Sequence, residues 1–524
     1  MKIKIINTLV IGCTILMFSC KDKGEKPMPS DIQKESSYYT EAYRPQFHFT
    51  PEEKWMNDPN GLVYNKGIYH LFYQYYPGDI VWGPMHWGHA VSTDMVKWEH
   101  KPIALYPDDN GLIFSGSAVV DVNNTSGFGT IDNPPLVAIF TYHLMAGEKA
   151  GRKDFQTQGI AYSLDNGDTW VKYEGNPVIG NDGIKDFRDP KVFWNEKLQL
   201  WSMLLVAGDH MQVWNSPNLK EWNQVSEFGK EKGAHGGVWE CPDLFPLQIE
   251  GADEEKWVLL ISINPGAPNG GSGTQYFVGN FDGETFTTDQ EESKWIDLGR
   301  DNYAGVTYNN TPNDERIFIG WMSNWDYARD TPTEKWRSAT TVPRKLSLQK
   351  NNGSFELINY PLETLDVLIE RNEEELGVTI GSKQSELIEL NHKNQSEIRF
   401  KTSGRDFQLN FKNKENDNLM LALKGSEEKL IFDRTSSGLT EFKDNFAKGT
   451  QVMPVPNLPN DEVEIRILLD KSSIELFINK GQYVMTNQIF PRDSYATLEV
   501  KNLADDSLLL NAFTESKVKR IWKE

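Results

Sequence analysis

Three short stretches set a carboxylate at or beside a proline: Trp55-Met56-Asn57-Asp58-Pro59-Asn60-Gly61, Phe187-Arg188-Asp189-Pro190 and Trp239-Glu240-Cys241-Pro242-Asp243. Singly, each is first a turn signal, because proline fixes φ while Asn and Gly tolerate left-handed geometry. Together they repeat one design, an acid beside an aromatic residue at the head of an apolar, strand-like run. That recurrence predicts one shared site holding Asp58, Asp189 and Glu240. Two carboxyl groups facing each other without metal-ligand spacing suit glycoside hydrolysis, in which the retaining route needs one ionised nucleophile and one proton-bearing acid. Asp58 is the expected nucleophile, since backbone N–H groups in its turn would favour the ionised form. Glu240, between Trp239 and Cys241, is expected in an apolar setting that keeps it protonated. Arg188 is expected to hold Asp189 ionised, for gripping sugar hydroxyls and favouring positive charge on the ring.

Carboxylates so far apart in sequence need a fold that gathers them. Five apolar runs recur at roughly sixty-residue intervals: 68–76, 135–142, 198–207, 256–263 and 316–325. Each follows a polar or acidic head, the remaining two heads being Phe114-Ser115-Gly116-Ser117 and Arg300-Asp301-Asn302. The first four are followed by a further hairpin with an aromatic, including Trp98, Trp170 and Trp222, which are expected in blade cores. Helical periodicity is nearly absent. Five copies of a several-stranded unit predict an all-β chain whose first domain is a five-bladed β-propeller over 42–348, with the heads at one end of its channel. A proline at the start of a strand removes no required ladder bond. The blade pattern is expected to stop past Pro343-Arg344. From about Pro361, short alternating strands such as 463–467 and 474–478, with an Asn479-Lys480-Gly481 hairpin turn, predict a C-terminal β-sandwich over 361–524. It carries no carboxylate constellation and is expected to support the propeller.

The chain has 524 residues and a formal charge of −21, and no basic stripe offsets the acid, which argues against a nucleic-acid partner. Lys2 and Lys4 precede an apolar run, Ile5 to Phe18, too short to span a bilayer comfortably, and then Ser19-Cys20 and a polar stretch. This predicts a lipoprotein signal peptide over 1–20, a lipid on Cys20, and a flexible tether over 21–41. The protein would then sit on a bacterial cell envelope, facing the periplasm or the surface. Met17-Phe18-Ser19 matches the lipobox loosely, so an ordinary cleaved signal peptide is the alternative. Only Cys241 of the three cysteines falls in the folded body, which excludes an intramolecular disulfide there. His86 and His89 lack further ligands, and no metal or cofactor is expected.

The three acidic motifs resemble the signatures of the glycoside hydrolase family 32 fructosidases, the invertases, inulinases and levanases. The resemblance extends through Phe72-Tyr73-Gln74-Tyr75, the stretch 82–89, Phe114-Ser115-Gly116-Ser117, Gly320-Trp321-Met322-Ser323-Asn324-Trp325, Trp336-Arg337-Ser338-Ala339 and, in the sandwich, 472–477. It implies the propeller-plus-sandwich architecture and a retaining, cofactor-free cleavage of β-fructofuranosidic bonds. It further implies Asp58 as nucleophile, Glu240 as acid/base and Asp189 as transition-state stabiliser. Asn57, Gln74, Trp82, Phe114, Ser115, Arg188 and Trp325 would line the fructose pocket. The likeness is greatest to bacterial levanases and exo-inulinases, which implies fructan polysaccharide or oligosaccharide as partner and exo action releasing fructose. One departure is Asn302, where relatives carry Phe, which bears on packing near the pocket. Alternatives are an endo-acting levanase, an inverting five-bladed arabinan- or xylan-active enzyme, and a non-catalytic fructan-binding lipoprotein.

Overall fold

The computed structural model describes residues 39–371, 376–459 and 461–522. The expected leader, Cys20 and nearly all of the tether lie outside them. The described chain is a five-bladed β-propeller followed by a β-sandwich. The innermost strands of the blades are Lys54–Asn65, Leu112–Val120, Phe187–Asn195, Val238–Gln248 and Tyr303–Thr307, and each pairs antiparallel with the next strand in sequence. These inner strands neighbour one another in a ring, the fifth returning to the first. The ring is closed by Trp336–Arg337, which runs parallel to Lys54 and Trp55, and by the Thr340 N–H, which donates to the Phe49 carbonyl.

Trp98, Trp170 and Trp222 pack between blades as expected: Trp98 edge-on to Phe49, Trp170 edge-on to Phe72, and Trp222 in the apolar cluster around Val192 and Met203. The end of the propeller differs from expectation. Arg344–Asn351 and Ser354–Pro361 form a hairpin that completes the fifth blade, so the propeller sheet runs to Pro361, beyond residue 348. Arg344–Asn351 alternates buried with more exposed residues, while Ser354–Pro361 buries Leu357, Ile358 and Asn359 together; neither carries a long apolar run.

A register shift interrupts the first strand pair of all five blades at the head of the inner strand: between Met56 and Pro59, Ile113 and Gly116, Arg188 and Lys191, Glu240 and Asp243, and Tyr303 and Val306. Such β-bulges add an unpaired residue and re-aim the neighbouring side chains. Asp189, Cys241 and Ala304 occupy equivalent bulge positions in left-handed conformation, with φ of 64°, 46° and 52°. Gly61 also has φ of 59°, and a Cβ there would come within 2.7 Å of Phe72 and 2.8 Å of Trp87, so the Asn-Gly pair serves close packing within a strand.

The channel is filled by polar groups that tie the inner strands together. Lys191 pairs with Asp243 at 3.2 Å and donates to the Thr307 carbonyl. Asn309 donates to the carbonyls of Ala118 and Val192, and its backbone N–H to that of Leu62.

The sandwich stacks a seven-stranded sheet on a six-stranded one around an aliphatic and aromatic core. It meets the propeller through buried charge. Arg344 bridges Asp297 at 3.1 Å and Glu475 at 2.9 Å, while His48 bonds Asp470 at 2.8 Å and Glu475 at 3.0 Å. Burial alone would lower the His48 pKa, but its bonds to Asp470 and Glu475 raise it to about 9. A raised folded-state pKa gives stability that is complete below the unfolded value near 6.5 and lost as pH climbs through about 9. Apparent Tm followed from pH 6 to 10 should therefore fall across that window. His48→Gln should lower Tm at pH 6 and remove that part of the slope; an unchanged slope would count against this assignment.

Candidate active site

The bulges bring four of the five heads to one pocket, three of them carrying an acid. Asp58 projects from the first blade, where its Oδ2 accepts a hydrogen bond from Ser115 Oγ of the second blade at 3.4 Å, while its buried Oδ1 has no protein partner among the described residues. Asp189, on the third blade, is fixed twice: its backbone N–H donates to Thr141 Oγ1 at 2.9 Å, and its Oδ2 accepts from the Cys241 N–H at 3.0 Å. Glu240, on the fourth blade, lies between two donors, with Arg188 3.2 Å from Oε1 and the Tyr303 hydroxyl bonded to Oε2.

Burial is the largest influence on all three acids, and it raises their pKa values. Asp58 is pushed up to about 7 by burial and then by the charge of Glu240, against the bond from Asn57. Asp189 is raised by burial against the pull of Arg188 and Cys241. Glu240 is raised by burial and by Asp189, opposed by Arg188 and Tyr303. The acids titrate as a group, because protonation of one relieves the others. Burial lowers the Arg188 pKa, but Glu240, Asp189 and Asp186 outweigh it, so the guanidinium stays charged.

Three expectations about these groups need correction. Arg188 bonds Asp186 at 2.9 Å and Glu240; its charge pulls Asp189 toward the ionised form as expected, but burial outweighs it and the Asp189 pKa is raised. The surroundings of Glu240 are polar, since Trp239 and Cys241 pack into the blades and leave the carboxyl to Arg188 and Tyr303. The Asp58 turn is part of a strand, and although its own backbone N–H favours the ionised form, burial and the charges of Glu240 and Asp189 outweigh that help and raise its pKa.

The other expected lining residues fall around the carboxylates. Asn57 accepts from Trp55 Nε1 at 2.7 Å. Gln74 lies on the second strand opposite the Asn57-Asp58 bulge, with its Nε2 buried and unpartnered among the described residues. Trp82 meets Phe114 edge-on at 6.2 Å, and Phe114 stacks on His143 at 4.2 Å. Trp325 stacks on Trp55 at 6.0 Å. Among the described residues no group of His, Cys, Asp and Glu could hold a metal ion. His89 packs on Phe72 and contacts His70, and His86 bonds the Pro84 carbonyl.

The sequence matches the descriptions of the glycosyl hydrolases family 32 N-terminal domain over residues 48–361 and of its C-terminal domain over 365–514. The chain belongs to glycoside hydrolase family 32. This family 32 glycosidase is 47% identical to a levanase of Bacillus subtilis over 93% of the chain and 72% of the levanase. Among solved structures it resembles an exo-inulinase of Aspergillus awamori (TM-score 0.84, 36% identity, 92% of this chain and 100% of that one). It also resembles a fructofuranosidase of Schwanniomyces occidentalis, solved as a variant complexed with fructosylnystose (TM-score 0.82, 33% identity, 94% and 99%).

The fifth head behaves differently in this family 32 chain. Asp301 turns to the sandwich and pairs with Arg434 at 2.7 Å, and Tyr303 reaches the pocket from that blade. Asn302 is also turned away: its amide donates to Asp297 at 3.1 Å in the buried interdomain network, so the missing phenyl ring opens no gap beside the carboxylates. Tyr303, Thr141 and Asp186 touch the constellation without having been singled out; Tyr303 lies in the Asp301-Asn302-Tyr303-Ala304 segment, whose bulge was the available signal.

Because the Tyr303 hydroxyl donates to Glu240 and lowers its pKa, Tyr303→Phe should raise it. If Glu240 acts as an acid, the alkaline limb of the kcat/KM profile should then move to higher pH. An unmoved limb would remove Tyr303 from that role.

Proposed function

We propose that this glycosidase hydrolyses β-fructofuranosidic bonds of fructans (levan, inulin or both) and of sucrose, with retention of configuration, releasing fructose from chain ends. The observation that carries the reading is the set of buried polar atoms left without protein partners around the carboxylates: Asp58 Oδ1, Gln74 Nε2 and Arg188 Nε. Unpaired buried polar atoms also occur elsewhere among the described residues, but these three gather beside the carboxylates, and the hydroxyls of a furanose ring supply the donors and acceptors they need. The family, and relatives named levanase, exo-inulinase and fructofuranosidase, support fructose as that ring.

The geometry supports the following roles. Asp58 has an oxygen free to attack the anomeric carbon. Glu240, anchored by Arg188 and Tyr303, gives its proton to the departing oxygen as the fructosyl ester forms. That ester removes the negative charge of Asp58. Glu240 thereby loses a repelling neighbour, its pKa falls, and it becomes the base that takes a proton from the water cleaving the ester. Asp189 stays on the fructose ring, accepting its hydroxyls and favouring positive charge as the bond breaks. Asn57, Gln74, Trp82, Phe114, Ser115, Arg188 and Trp325 hold the sugar, and the chemistry needs no metal or cofactor.

Asp58→Asn should fold and lose turnover by more than about 10³-fold. Glu240→Gln should lose about 10²–10⁴-fold on natural substrates and far less on an aryl fructoside, whose leaving group needs no proton. Near-normal turnover by either variant would end the mechanism. Early products from levan, inulin and sucrose, separated by chromatography, should be fructose alone with the chain otherwise intact; a ladder of oligomers would instead establish endo action.

The protein is further proposed to be tethered to the cell envelope through a lipid on Cys20. Support comes from the charged, apolar and small-residue order of residues 1–20. The unaltered protein should pellet with membranes and Cys20→Ala should not. Equal partition of the two would favour an ordinary cleaved signal.

A further inference from the structure

Beyond the lining residues, one cation stands over the pocket mouth. Arg329 is exposed, and its guanidinium carbon lies 5.9 Å from the ring centre of Trp82 and 5.8 Å from that of Trp325. Trp325 in turn rests on the fully buried Trp55 and Trp321, and Trp55 holds Asn57 next to Asp58. Contacts therefore link Asp58 to the exposed Arg329 through Asn57, the fully buried Trp55 and the half-buried Trp325.

A fructosyl unit bonded at Asp58 fills the base, and its scissile oxygen must face Glu240. The group beyond that oxygen must leave the pocket past its rim, where Arg329 lies against both Trp82 and Trp325. We propose that Arg329 hydrogen-bonds the leaving-group sugar and so sets how strongly the enzyme prefers sugar chains to fructosides with small leaving groups. The proposal rests on the fructosidase reading above and adds a specificity determinant to it.

Two features fit this role. No ion pair or side-chain hydrogen bond engages the Arg329 guanidinium among the described residues, which leaves its planar fork of five N–H donors for hydroxyl pairs. Its backbone is nevertheless held. The Arg329 carbonyl accepts from Arg337, Asp330 pairs with Lys443 of the sandwich at 3.0 Å, and the Tyr327 hydroxyl lies between Asp301 and Arg434. An exposed side chain on a pinned loop is presented without losing its donors to the protein.

The test compares kcat/KM on fructo-oligosaccharides with that on methyl β-D-fructofuranoside, which has the same fructosyl unit and no leaving-group sugar. Arg329→Ala should lower kcat/KM on the oligosaccharides about 10- to 100-fold, the range for losing a charge-assisted hydrogen bond, and change the methyl fructoside less than about twofold. Arg329→Lys, which keeps the charge and loses the fork, should fall between. Equal losses on both substrates would show that Arg329 merely supports the tryptophans, and no loss on either would leave it without a role; both overturn the proposal. An unaltered protein inactive on both substrates would instead overturn the fructosidase reading itself.

Discussion

Burial of three neighbouring carboxylates governs the pocket. It raises the pKa of Asp58, Asp189 and Glu240 together, and the charges of Glu240 and Asp189 add to the cost of ionising Asp58, as that of Asp189 does for Glu240. Left alone, such a cluster would hold several protons near neutrality and have no reliable nucleophile. Arg188 supplies a permanent positive charge, and its bonds to Glu240 and Asp186 place that charge to one side of the group. Asp58 receives the least help and keeps an oxygen without a protein partner. The imbalance suits the proposed mechanism, since the acid assigned the attack is the one least occupied by the protein.

Holding charges in such opposition requires a stiff frame. The ring of inner strands supplies it, and the bulge at each head lets a strand keep its ladder while turning a side chain into the channel mouth. Asp189 and Cys241 hold left-handed backbone at equivalent bulges, and the Cys241 N–H bonds the Asp189 carboxylate. Two strained positions thus stabilise each other across a blade boundary. The Lys191–Asp243 pair and Asn309 do the same for the channel interior, where an unpaired charge would be severely destabilising.

Much of this was legible in the sequence, for a definite reason. Acid-proline heads and apolar second strands are local patterns, and fivefold repetition converts local patterns into a long-range arrangement. The outer hairpin of the fifth blade escaped because neither of its strands carries a long apolar run. The partners of the acids escaped for a different reason. Whether Arg188 turns to Asp189 or Glu240 depends on the direction a bulge gives one side chain, which spacing does not encode. Tyr303 and Asp301 are two residues apart, yet one bonds the Glu240 carboxyl and the other bonds the sandwich. Nothing in their types separates these fates.

That divergence bears on the sandwich. It contributes none of the three carboxylates, yet it is tied to the strands and loop that form the far wall of the pocket. Arg434 fixes Asp301 and Tyr327, Lys443 fixes Asp330, and Glu475 joins Arg344 to His48. Tyr303 enters the pocket two residues after Asp301, and residues 323–330 carry Trp325 and Arg329 to its rim. Loosening the sandwich would shift the hydroxyl on Glu240 and the rim together, and through Asp470 and Glu475 it would also release residues 46–48, which lead into the strand of Asp58. The sandwich therefore supports the propeller from two sides of the pocket, through the segment ahead of the first blade and through the fifth blade.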